Sequence, residues 1–440
     1  MRGRAATARP STRVRWKIFG LVWVLVLINF IDRSSVSVAL PLIGKDLRLS
    51  ASVEGWILSA FFWTYLLFQI PAGSLLDRLG PRRIVALSAA VWGVFQALGG
   101  IAGQGAVLLV SRLGLGAAEA PMFPAGGKLN ANWLSPTERA RGATFFDCGA
   151  PVGTAVGSLA ITGLIVWLHS WRAAFVVAGA ATILLSVWIY AYLRDNPRQH
   201  PAVSADEAAF ITEGSEPATA EAPRLPLHTY LRSRSFWGLL LGRLGWALIW
   251  WGLITWGPQY LASRGLNIKQ IGFGTFLIFG AAAVGELLAG FLADRWQRPG
   301  NRNLVMKALL AISGTVTVVA VILLRLVPTA GVAITLLAVA VFFLNWGGLY
   351  WAVPAWLAPP EQVGRVGSLM NIASSAGGVL APIIIGYLVQ ATGGYSAALA
   401  FLAGCAVLYI AGSMVINFRR QLTGTAPTPD PVPVATGRLT

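Results

Sequence analysis

Long apolar stretches recur along almost the whole chain, and about twelve of them have the length of a membrane-spanning helix. A helix rises about 1.5 Å per residue, so roughly 20 mostly apolar residues cross a hydrocarbon core of about 30 Å. Of the 440 residues, 56% are hydrophobic and only 12% are charged, a composition that soluble globular domains do not have. We therefore predict an all-α, polytopic membrane protein of about twelve transmembrane helices.

A polar stretch from residue 194 to residue 234 divides these helices into two sets of six. It is rich in Pro, Ala and acidic residues and has no apolar periodicity long enough for a span. The first six spans are expected at 16–40, 53–76, 84–104, 107–127, 140–168 and 173–193, and the second six at 236–261, 271–293, 304–326, 330–357, 363–390 and 397–418. The predicted organisation is a basic cytoplasmic N-terminal tail (1–15), a six-helix bundle (16–193), a cytoplasmic linker (194–234), a second six-helix bundle (235–418) and a disordered cytoplasmic tail (419–440).

Basic residues give the chain a net charge of +17, and they fall in alternate loops instead of one patch. This distribution does not favour nucleic acid as a partner. It follows the positive-inside rule and places both termini in the cytoplasm. The basic flank and apolar core of the first segment resemble a signal peptide, but no small-residue cleavage site follows, which predicts an uncleaved first helix.

A short loop motif recurs at the same place in each half of the chain. After the second span stands Gly73-Ser-Leu-Leu-Asp77-Arg78-Leu-Gly80-Pro-Arg82-Arg83, and after the eighth stands Gly290-Phe-Leu-Ala-Asp294-Arg295-Trp-Gln-Arg298. Glycine permits close helix approach and the basic cluster favours the cytoplasm, so we expect a role in gating. The expected gating residues are Gly73, Asp77, Arg78, Gly80, Arg82, Arg83, Asp294 and Arg295. The first copy fits the pattern G-x3-D-[RK]-x-G-x-[RK]-[RK], and with it the chain resembles the major facilitator superfamily.

Charged residues lie inside two apolar spans of the first half: Asp32 and Arg33 near the far end of the first, and Arg112 and Glu119 in the fourth. Ionisable groups at membrane depth usually face a cavity or a partner and are functional by default. Arg112 and Glu119 are seven residues apart and lie on nearly the same helix face, so we expect them to line one cavity together. The alternative is a structural lock, in which these two residues merely pair with Arg33 and Asp32.

Together with Pro121-Met-Phe-Pro124-Ala125, these residues resemble the anion:cation symporter branch of the superfamily. Its members include bacterial permeases for galactonate, glucarate, hexuronates, tartrate and phthalate, so the resemblance implies a multi-pass protein of a bacterial inner membrane. It implies that Asp32 and Glu119 take up protons. It also implies that Arg33 and Arg112 bind the anion or couple it to those acids. Further substrate-binding candidates are Tyr65 and Asn371, by family position, and Asn29 of the first-helix motif.

The fifth span departs from the sugar-acid permeases. They typically read Phe-Asn-Ser-Ala-Gln, whereas this chain has Phe146-Asp147-Cys148-Gly149-Ala150. Replacing glutamine by Ala150 removes hydrogen bonds to a polyol, which disfavours a galactonate-like substrate. Asp147 is an additional candidate for binding a proton, a cationic group of the substrate or a nearby arginine. Glu286, in the eighth span, is expected to pack against a partner such as an arginine.

Tryptophan is frequent, with 18 residues in the chain. Interfacial belts explain most of them. The candidates for lining a site are Trp250, Trp251 and Trp256 in the seventh span and Trp346, Trp351 and Trp356 in the tenth. Together with Ala150 they move the expected substrate towards an aromatic or apolar carboxylate, phthalate-like acids included.

Several function classes are disfavoured by the sequence. No G-x4-G-K-[ST] phosphate loop occurs, which argues against an ATP-driven pump. The three histidines lie near membrane edges or in the linker, so no metal or nucleophile constellation forms. We expect proton-coupled import of an organic anion by alternating access, without a cofactor, by a monomer whose partners are the anion, protons and the lipid bilayer. The alternatives are a proton-driven drug exporter of the same superfamily and, less favoured, a membrane-embedded enzyme or a substrate-sensing receptor.

Overall fold

The computed structural model describes residues 12–135, 138–212, 226–298, 300–327, 329–358 and 362–418. Within these ranges, twelve helices are long and apolar enough to cross a membrane, which confirms the predicted fold class. They are α1 (Val14–Asp46), α2 (Ala51–Gln69), α3 (Arg78–Gly100), α4 (Gly105–Trp133), α5 (Phe145–Leu168), α6 (Trp171–Tyr192), α7 (Arg234–Ser263), α8 (Ile268–Trp296), α9 (Arg302–Leu323), α10 (Ala330–Ala352), α11 (Arg365–Thr392) and α12 (Ser396–Val415). Most of the N-terminal tail (1–11), the tail 419–440 and the side chain of Asp77 lie outside the described residues.

The first helix extends further than its sequence pattern indicates. The expected span ends at residue 40, ahead of Pro41, whereas α1 continues to Asp46 with Pro41 inside it. Neighbouring helices of a membrane protein re-satisfy the backbone group that a proline leaves free, so a spanning helix tolerates it. The expectation that Asp32 and Arg33 lie near the far end of the span is therefore wrong, because both lie near the middle of α1.

Two spanning helices are not continuous α-helices along their whole length. In α4 one helical segment ends at Glu119 and the next begins at Met122, because Pro121 has no N–H to donate to the carbonyl of Ala117. In α10 the α-helical part ends at Leu344, and a 3₁₀ segment, Asn345–Ala352, continues it. Stretches of 3₁₀ helix inside a longer helix often mark functional segments.

The two halves of the chain meet tightly at the helix ends opposite the basic loops. Ser59 Oγ of α2 donates a hydrogen bond to a carbonyl of α11 at 2.8 Å, and Ser158 Oγ of α5 donates to the carbonyl of Gly272 in α8 at 3.0 Å. Gly55 lets α2 approach α11 closely, since a Cβ there would lie 2.6 Å from the carbonyl oxygen of Pro382. This end of the molecule is closed.

The basic end is different. We expected close helix approach at Gly73, but a Cβ added there would meet no atom of the described residues within 4 Å, and the same holds for Gly290 in the second copy of the motif. Both glycines lie at the helix ends that the positive-inside rule places in the cytoplasm. Close approach at Gly73 is therefore absent from this conformation, in which the tight contacts between the halves lie at the other end.

The linker holds the start of α1 through one buried carboxylate. Glu207, on the short helix Ala205–Thr212, accepts hydrogen bonds from the backbone N–H groups of Val14 at 3.0 Å and Arg15 at 3.1 Å. These are orphan donors at the beginning of a helix, so Glu207 caps α1. The Arg15 guanidinium pairs with Glu207 and with Glu138, each at 2.9 Å. Short helical segments also occur at Pro197–Gln199, Leu227–Leu231 and Val353–Leu357.

The ion pairs of Arg15 with Glu207 and Glu138 form a clamp at the start of α1. The pH range over which this clamp is stable follows from the pKa values of its two carboxyls. Burial opposes ionisation of Glu207, but hydrogen bonds from Thr12, Arg15 and Val14 outweigh it and hold the pKa of Glu207 below its usual value. Burial likewise opposes ionisation of Glu138, and hydrogen bonds led by that from Arg15 hold its pKa below the usual value too. A carboxyl whose pKa is lower in the folded state stabilises the fold above its unfolded pKa and loses this effect as pH falls through its folded pKa. The clamp therefore stays intact at neutral and mildly acidic pH.

Replacing Gly55 by Ala should destabilise the protein, whereas Gly73→Ala should leave its stability unchanged or raise it. Alanine favours a helix over glycine by up to about 1 kcal/mol, so both changes gain in propensity. Only at Gly55 does the new methyl group meet a backbone carbonyl, and overpacking of this kind costs about 1–3 kcal/mol. Thermal unfolding of the two purified variants measures the difference. Equal melting temperatures would show that α2 and α11 are not in contact at Gly55.

Glu207→Gln should lower the melting temperature at neutral pH, because it leaves the buried Arg15 guanidinium without part of its counter-charge. The pKa of Glu207 lies below its usual value. The difference in melting temperature between the variant and the wild type, the gap, should therefore persist at mildly acidic pH and close only below about pH 4. Melting curves across this range measure the gap, with Asp206→Asn on the exposed side of the same helix as the control. A gap that closes between neutral pH and about pH 6 contradicts the assignment.

Candidate functional site

A central cavity of about 840 Å³ lies between the two halves of the chain, within the size range of small-molecule sites. Its wall includes residues of α1, α2, α4 and α5 from the first half and of α7, α8, α10 and α11 from the second. Leu67 and Gln69, towards the basic end of α2, and Gly367, near the start of α11, belong to the wall, so the cavity extends towards the basic end. Four residues selected from the sequence line it: Arg33, Tyr65, Asp147 and Asn371.

Arg33 supplies the positive charge of the first-half wall. Its Nη2 donates to Glu119 Oε2 at 2.9 Å, which forms a buried ion pair, and to Asn29 Oδ1 at 3.2 Å. The guanidinium carbon also lies 4.3 Å from the ring centroid of Phe61 and 5.1 Å from that of Tyr65. Cation–π contacts strengthen where water is excluded. Arg33 is therefore held by the protein on several sides while it also faces the cavity.

The ion pair between Arg33 and Glu119 is incompletely bonded. In the described part of the chain, three buried atoms beside it have no hydrogen-bond partner: Glu119 Oε1, Arg33 Nε and Asn29 Nδ2. A buried polar or charged group without a partner costs free energy, so this pair is less stabilised than a fully bonded one.

Asp32 lies next to Arg33 but does not line the cavity. Its Oδ2 accepts hydrogen bonds from Trp92 Nε1 of α3 at 3.1 Å and from Thr182 Oγ1 of α6 at 3.0 Å. Its Oδ1 has no partner among the described residues, and the residue is only 1% exposed. Neutral donors do not compensate a full charge in a buried place. This carboxylate is therefore a candidate for binding a proton behind the cavity wall.

Arg112 and Glu119 do not line the central cavity, contrary to the expectation from their spacing. The Arg112 guanidinium donates to the backbone carbonyls of Asp32 and Arg33, at 3.4 and 3.2 Å, and so ties α4 to α1. Glu119 turns its carboxylate to Arg33, and Arg33 forms the wall in its place. Of the two pairings in the structural-lock alternative, Arg33 with Glu119 is present, whereas Arg112 contacts the backbone of Asp32 and not its carboxylate.

The loop motif contacts the beginning of the linker. Gly80 has a φ of +81°, in the left-handed region that favours glycine, and a Cβ there would lie 2.7 Å from the carboxylate of Asp195. Asp195 Oδ1 accepts a hydrogen bond from the N–H of Arg82 at 2.7 Å, and Arg82 Nε donates to the carbonyl of Tyr190 at 2.9 Å. The turn between α2 and α3 is thus fixed against the end of α6. The other described charged residues of the motif are exposed: Arg78, Arg83, Asp294 and Arg295.

Sequence reasoning missed Arg243, which lies in the cavity wall of the second half. It is the one charged residue of the apolar span 236–261, so the rule that selected Asp32 and Arg33 also selects it. Asp147 and Glu286 line the same cavity, and their charges interact with that of Arg243. The arginine expected beside Glu286 is therefore present, but Glu286 Oε2 accepts its hydrogen bond from Asn345 Nδ2, at 3.4 Å.

Tryptophan gives the second half of the cavity an aromatic wall. Three of the six candidates line it, and Trp246, which sequence reasoning did not select, joins them: Trp246, Trp250, Trp251 and Trp351. The other candidates, Trp256, Trp346 and Trp356, do not belong to the wall; Trp256, for example, donates its Nε1 hydrogen bond to the carbonyl of Pro382 at 3.1 Å. Ala150 lies in the opposite wall. The site therefore combines a few charges with a largely apolar surface.

Residues 22–358, more than half of the chain, match the family model described as Major Facilitator Superfamily. The chain belongs to the major facilitator superfamily. A probable galactarate/D-glucarate transporter of Bacillus subtilis (strain 168) is 30% identical over 426 residues, which cover 93% of each chain. A probable L-galactonate transporter of Escherichia coli (strain K12) is 32% identical over 403 residues, 89% of this chain and 87% of that one. The crystal structure of a bacterial homologue of the human lysosomal transporter Spinster, inward-facing and occupied, has the same fold, with a TM-score of 0.73, 21% identity and coverage of 92% and 94%.

As a member of the major facilitator superfamily, the chain is a membrane transporter and not an enzyme. Its twelve apolar helices and its bacterial relatives make it a multi-pass protein of a bacterial inner membrane. The resemblance to the superfamily and to its organic-anion permeases, which rests on the loop motif and on the charges of α1 and α4, is confirmed by these relatives.

A cysteine at position 150 should react with a thiol reagent that enters from the cytoplasmic side, because Ala150 lines the cavity that extends to that side. The background lacks Cys148 and Cys405, and the control is Ala155→Cys in the same helix, where the side chain is 3% exposed. In inverted membrane vesicles, labelling at 150 should be several-fold faster than at 155. Equal rates, or faster labelling from the opposite face of the membrane, would contradict a cavity open to the basic end.

Proposed function

We propose that this member of the superfamily imports an organic anion together with protons by alternating access. The observation that carries the proposal is the buried ion pair of Arg33 and Glu119, 2.9 Å long, at the wall of the central cavity. Arg33 is a cation that a substrate carboxylate can reach, and its counter-ion is a group that a proton neutralises.

Proton binding and anion binding are coupled because both act on Arg33. An ionised Glu119 neutralises Arg33, so a substrate carboxylate gains little by entering. When Glu119 binds a proton, Arg33 becomes a buried cation without a counter-charge, which is unfavourable. A substrate carboxylate then replaces Glu119, because the planar guanidinium forms two parallel hydrogen bonds with a carboxylate. The difference in anion affinity between the two protonation states of Glu119 is the coupling free energy.

Asp32 is proposed as a second proton-binding group behind the wall. Its carboxylate receives hydrogen bonds only from the neutral donors of α3 and α6, Trp92 and Thr182. Arg112 donates hydrogen bonds to the backbone carbonyls of both Asp32 and Arg33. A change of charge at Asp32 therefore acts on the segment of α1 that carries Arg33. Proton binding here does not obstruct the cavity, which leaves the substrate path free.

Alternating access is supported by the unequal packing at the two ends. Hydrogen bonds between α2 and α11 and between α5 and α8 close one end, while the cavity extends to the other. Rocking of two helix bundles about a central site exposes that site to each side in turn. Gly73 and Gly290, which contact nothing at their Cβ positions here, leave room for close approach when the basic end closes.

The substrate is proposed to be a carboxylate with few hydroxyl groups. Relatives are named as transporters of galactarate/D-glucarate and of L-galactonate, which are sugar acids. In this chain Ala150 and four tryptophans belong to the wall, and neither alanine nor tryptophan offers the donor and acceptor pair that a glutamine gives to a hydroxyl. An apolar or aromatic acid therefore fits this wall better than a polyol.

Uptake of labelled carboxylates into proteoliposomes tests the proposal. An inward proton gradient should drive accumulation of a carboxylate by the wild type. Glu119→Gln should abolish accumulation but retain exchange of internal for external substrate, because a permanently neutral residue leaves Arg33 available to the anion. Asp206→Asn, an exposed acid outside the spans, is the control and should transport normally. No accumulation of any acid by the wild type, or gradient-driven accumulation by Glu119→Gln, would contradict the proposal.

A further inference from the structure

Arg243 is a buried cation that lacks hydrogen-bond partners for part of its guanidinium among the described residues. The residue is 4% exposed, and its Nε has no hydrogen-bond partner among the described residues. Its Nη1 lies 3.5 Å from the carbonyl of Gly347, at the limit of a hydrogen bond, and Arg243 takes part in none of the ion pairs that the described residues form. Burying a charge without a partner is costly, so a site of this kind favours an anionic ligand.

The neighbours of Arg243 fix its guanidinium as a rigid, cavity-lining group. The guanidinium carbon lies 3.9 Å from the ring centroid of Trp246 and 5.2 Å from that of Trp351. Gly347 makes this arrangement possible, because a Cβ there would lie 2.3 Å from the Trp246 ring. A planar guanidinium held against aromatic rings keeps its fork of N–H groups oriented, and that fork matches a carboxylate.

Two acids stand close enough to Arg243 for their charges to interact with it, and neither binds it. Asp147 of α5 and Glu286 of α8 line the same cavity as Arg243 and interact with its charge. No ion pair joins either acid to Arg243 in the described part of the chain. The fork of Arg243 is therefore not occupied by a protein carboxylate, which is the opposite of Arg33.

The two cavity arginines lie at different depths. Trp251 is within 5.7 Å of the Arg33 guanidinium, ring centroid to Cζ, and so marks the depth of Arg33 on α7. The Arg243 guanidinium lies 3.9 Å from the ring centroid of Trp246, so Trp246 marks its depth on the same helix. Trp246 is five residues before Trp251, which corresponds to about 7.5 Å along the axis. Trp246 and Trp250 stack with centroids 5.5 Å apart and belong to the cavity wall. A ligand that reaches both arginines must therefore extend along an aromatic surface.

We propose that Arg243 is a second carboxylate-binding residue, and that Arg33 and Arg243 bind the two ends of a dicarboxylate. This inference rests on the proposed function and narrows the substrate to acids with carboxylates at opposite ends of an apolar or aromatic body. Terephthalate has this shape, whereas the two carboxylates of phthalate are adjacent. Asp147 and Glu286 take protons when the dianion binds, because two ionised acids beside Arg243 repel the second carboxylate.

Binding of terephthalate and of its monomethyl ester to the purified protein tests the proposal, since the two probes differ by one charge. The wild type should bind the diacid about tenfold or more tightly, as expected for one charged, bidentate contact. Arg243→Gln should reduce this ratio to about one and retain binding of the monoester at Arg33. Arg243→Lys keeps the charge but not the fork, so its ratio should be intermediate.

The ratio of the two affinities does not depend on the fraction of folded protein, so a less stable variant remains informative. An unchanged ratio in Arg243→Gln overturns the proposal, and so does a loss of both ligands together. The proposed function fails separately: in that case neither probe, nor any other carboxylate, is bound or transported by the wild type. If monoacids are transported and the affinity ratio is the same in Arg243→Gln as in the wild type, the proposed function stands and only the second binding site is wrong.

Discussion

An arginine side chain in the middle of a membrane protein needs a negative partner, and Arg33 obtains one from Glu119 at 2.9 Å. Several neighbouring residues surround this pair. Pro121 interrupts α4 just after Glu119, and the aromatic rings of Phe61 and Tyr65 cover the guanidinium. The pair is incompletely hydrogen-bonded among the described residues, which supports the proposal that a proton on Glu119 lets an anion replace it at Arg33. In that proposal the charge balance of the cavity depends on this one contact.

The two halves of the cavity treat their arginines differently. In the first half the carboxylate of Glu119 pairs with Arg33. In the second half Arg243 rests on Trp246 and Trp351 and forms no ion pair with a described residue. In the proposed transporter, protonation of Glu119 makes Arg33 available to an anion, and protonation of Asp147 and Glu286 removes the repulsion beside Arg243. Both arginines thus bind carboxylates in a proton-dependent way.

The sequence predicted the features that have a strong local signal. Twelve apolar stretches led to the correct fold, because span length follows from composition alone, and the resemblance of the loop motif after α2 and of the charges of α1 and α4 to known permeases led to the correct family. Helix ends were predicted less well: α1 continues through Pro41 to Asp46, because a membrane-spanning helix tolerates an internal proline. Arg243 had the same signal as Arg33 but no motif around it. That Arg112 bonds to backbone carbonyls, and not into the cavity, depends on tertiary packing and has no sequence signal.

The central claim is that Glu119 and the anion compete for Arg33, so that a proton on Glu119 favours anion binding, and proton exchange during binding tests it most directly. Substrate is added to the purified protein in a weakly buffered solution near neutral pH, and a pH indicator reports the protons exchanged. The account predicts that the wild type takes up protons as the anion binds, since Glu119 must be neutralised to release Arg33, and that Glu119→Gln binds with less proton uptake. Anion binding without proton uptake, or with proton release, would contradict it.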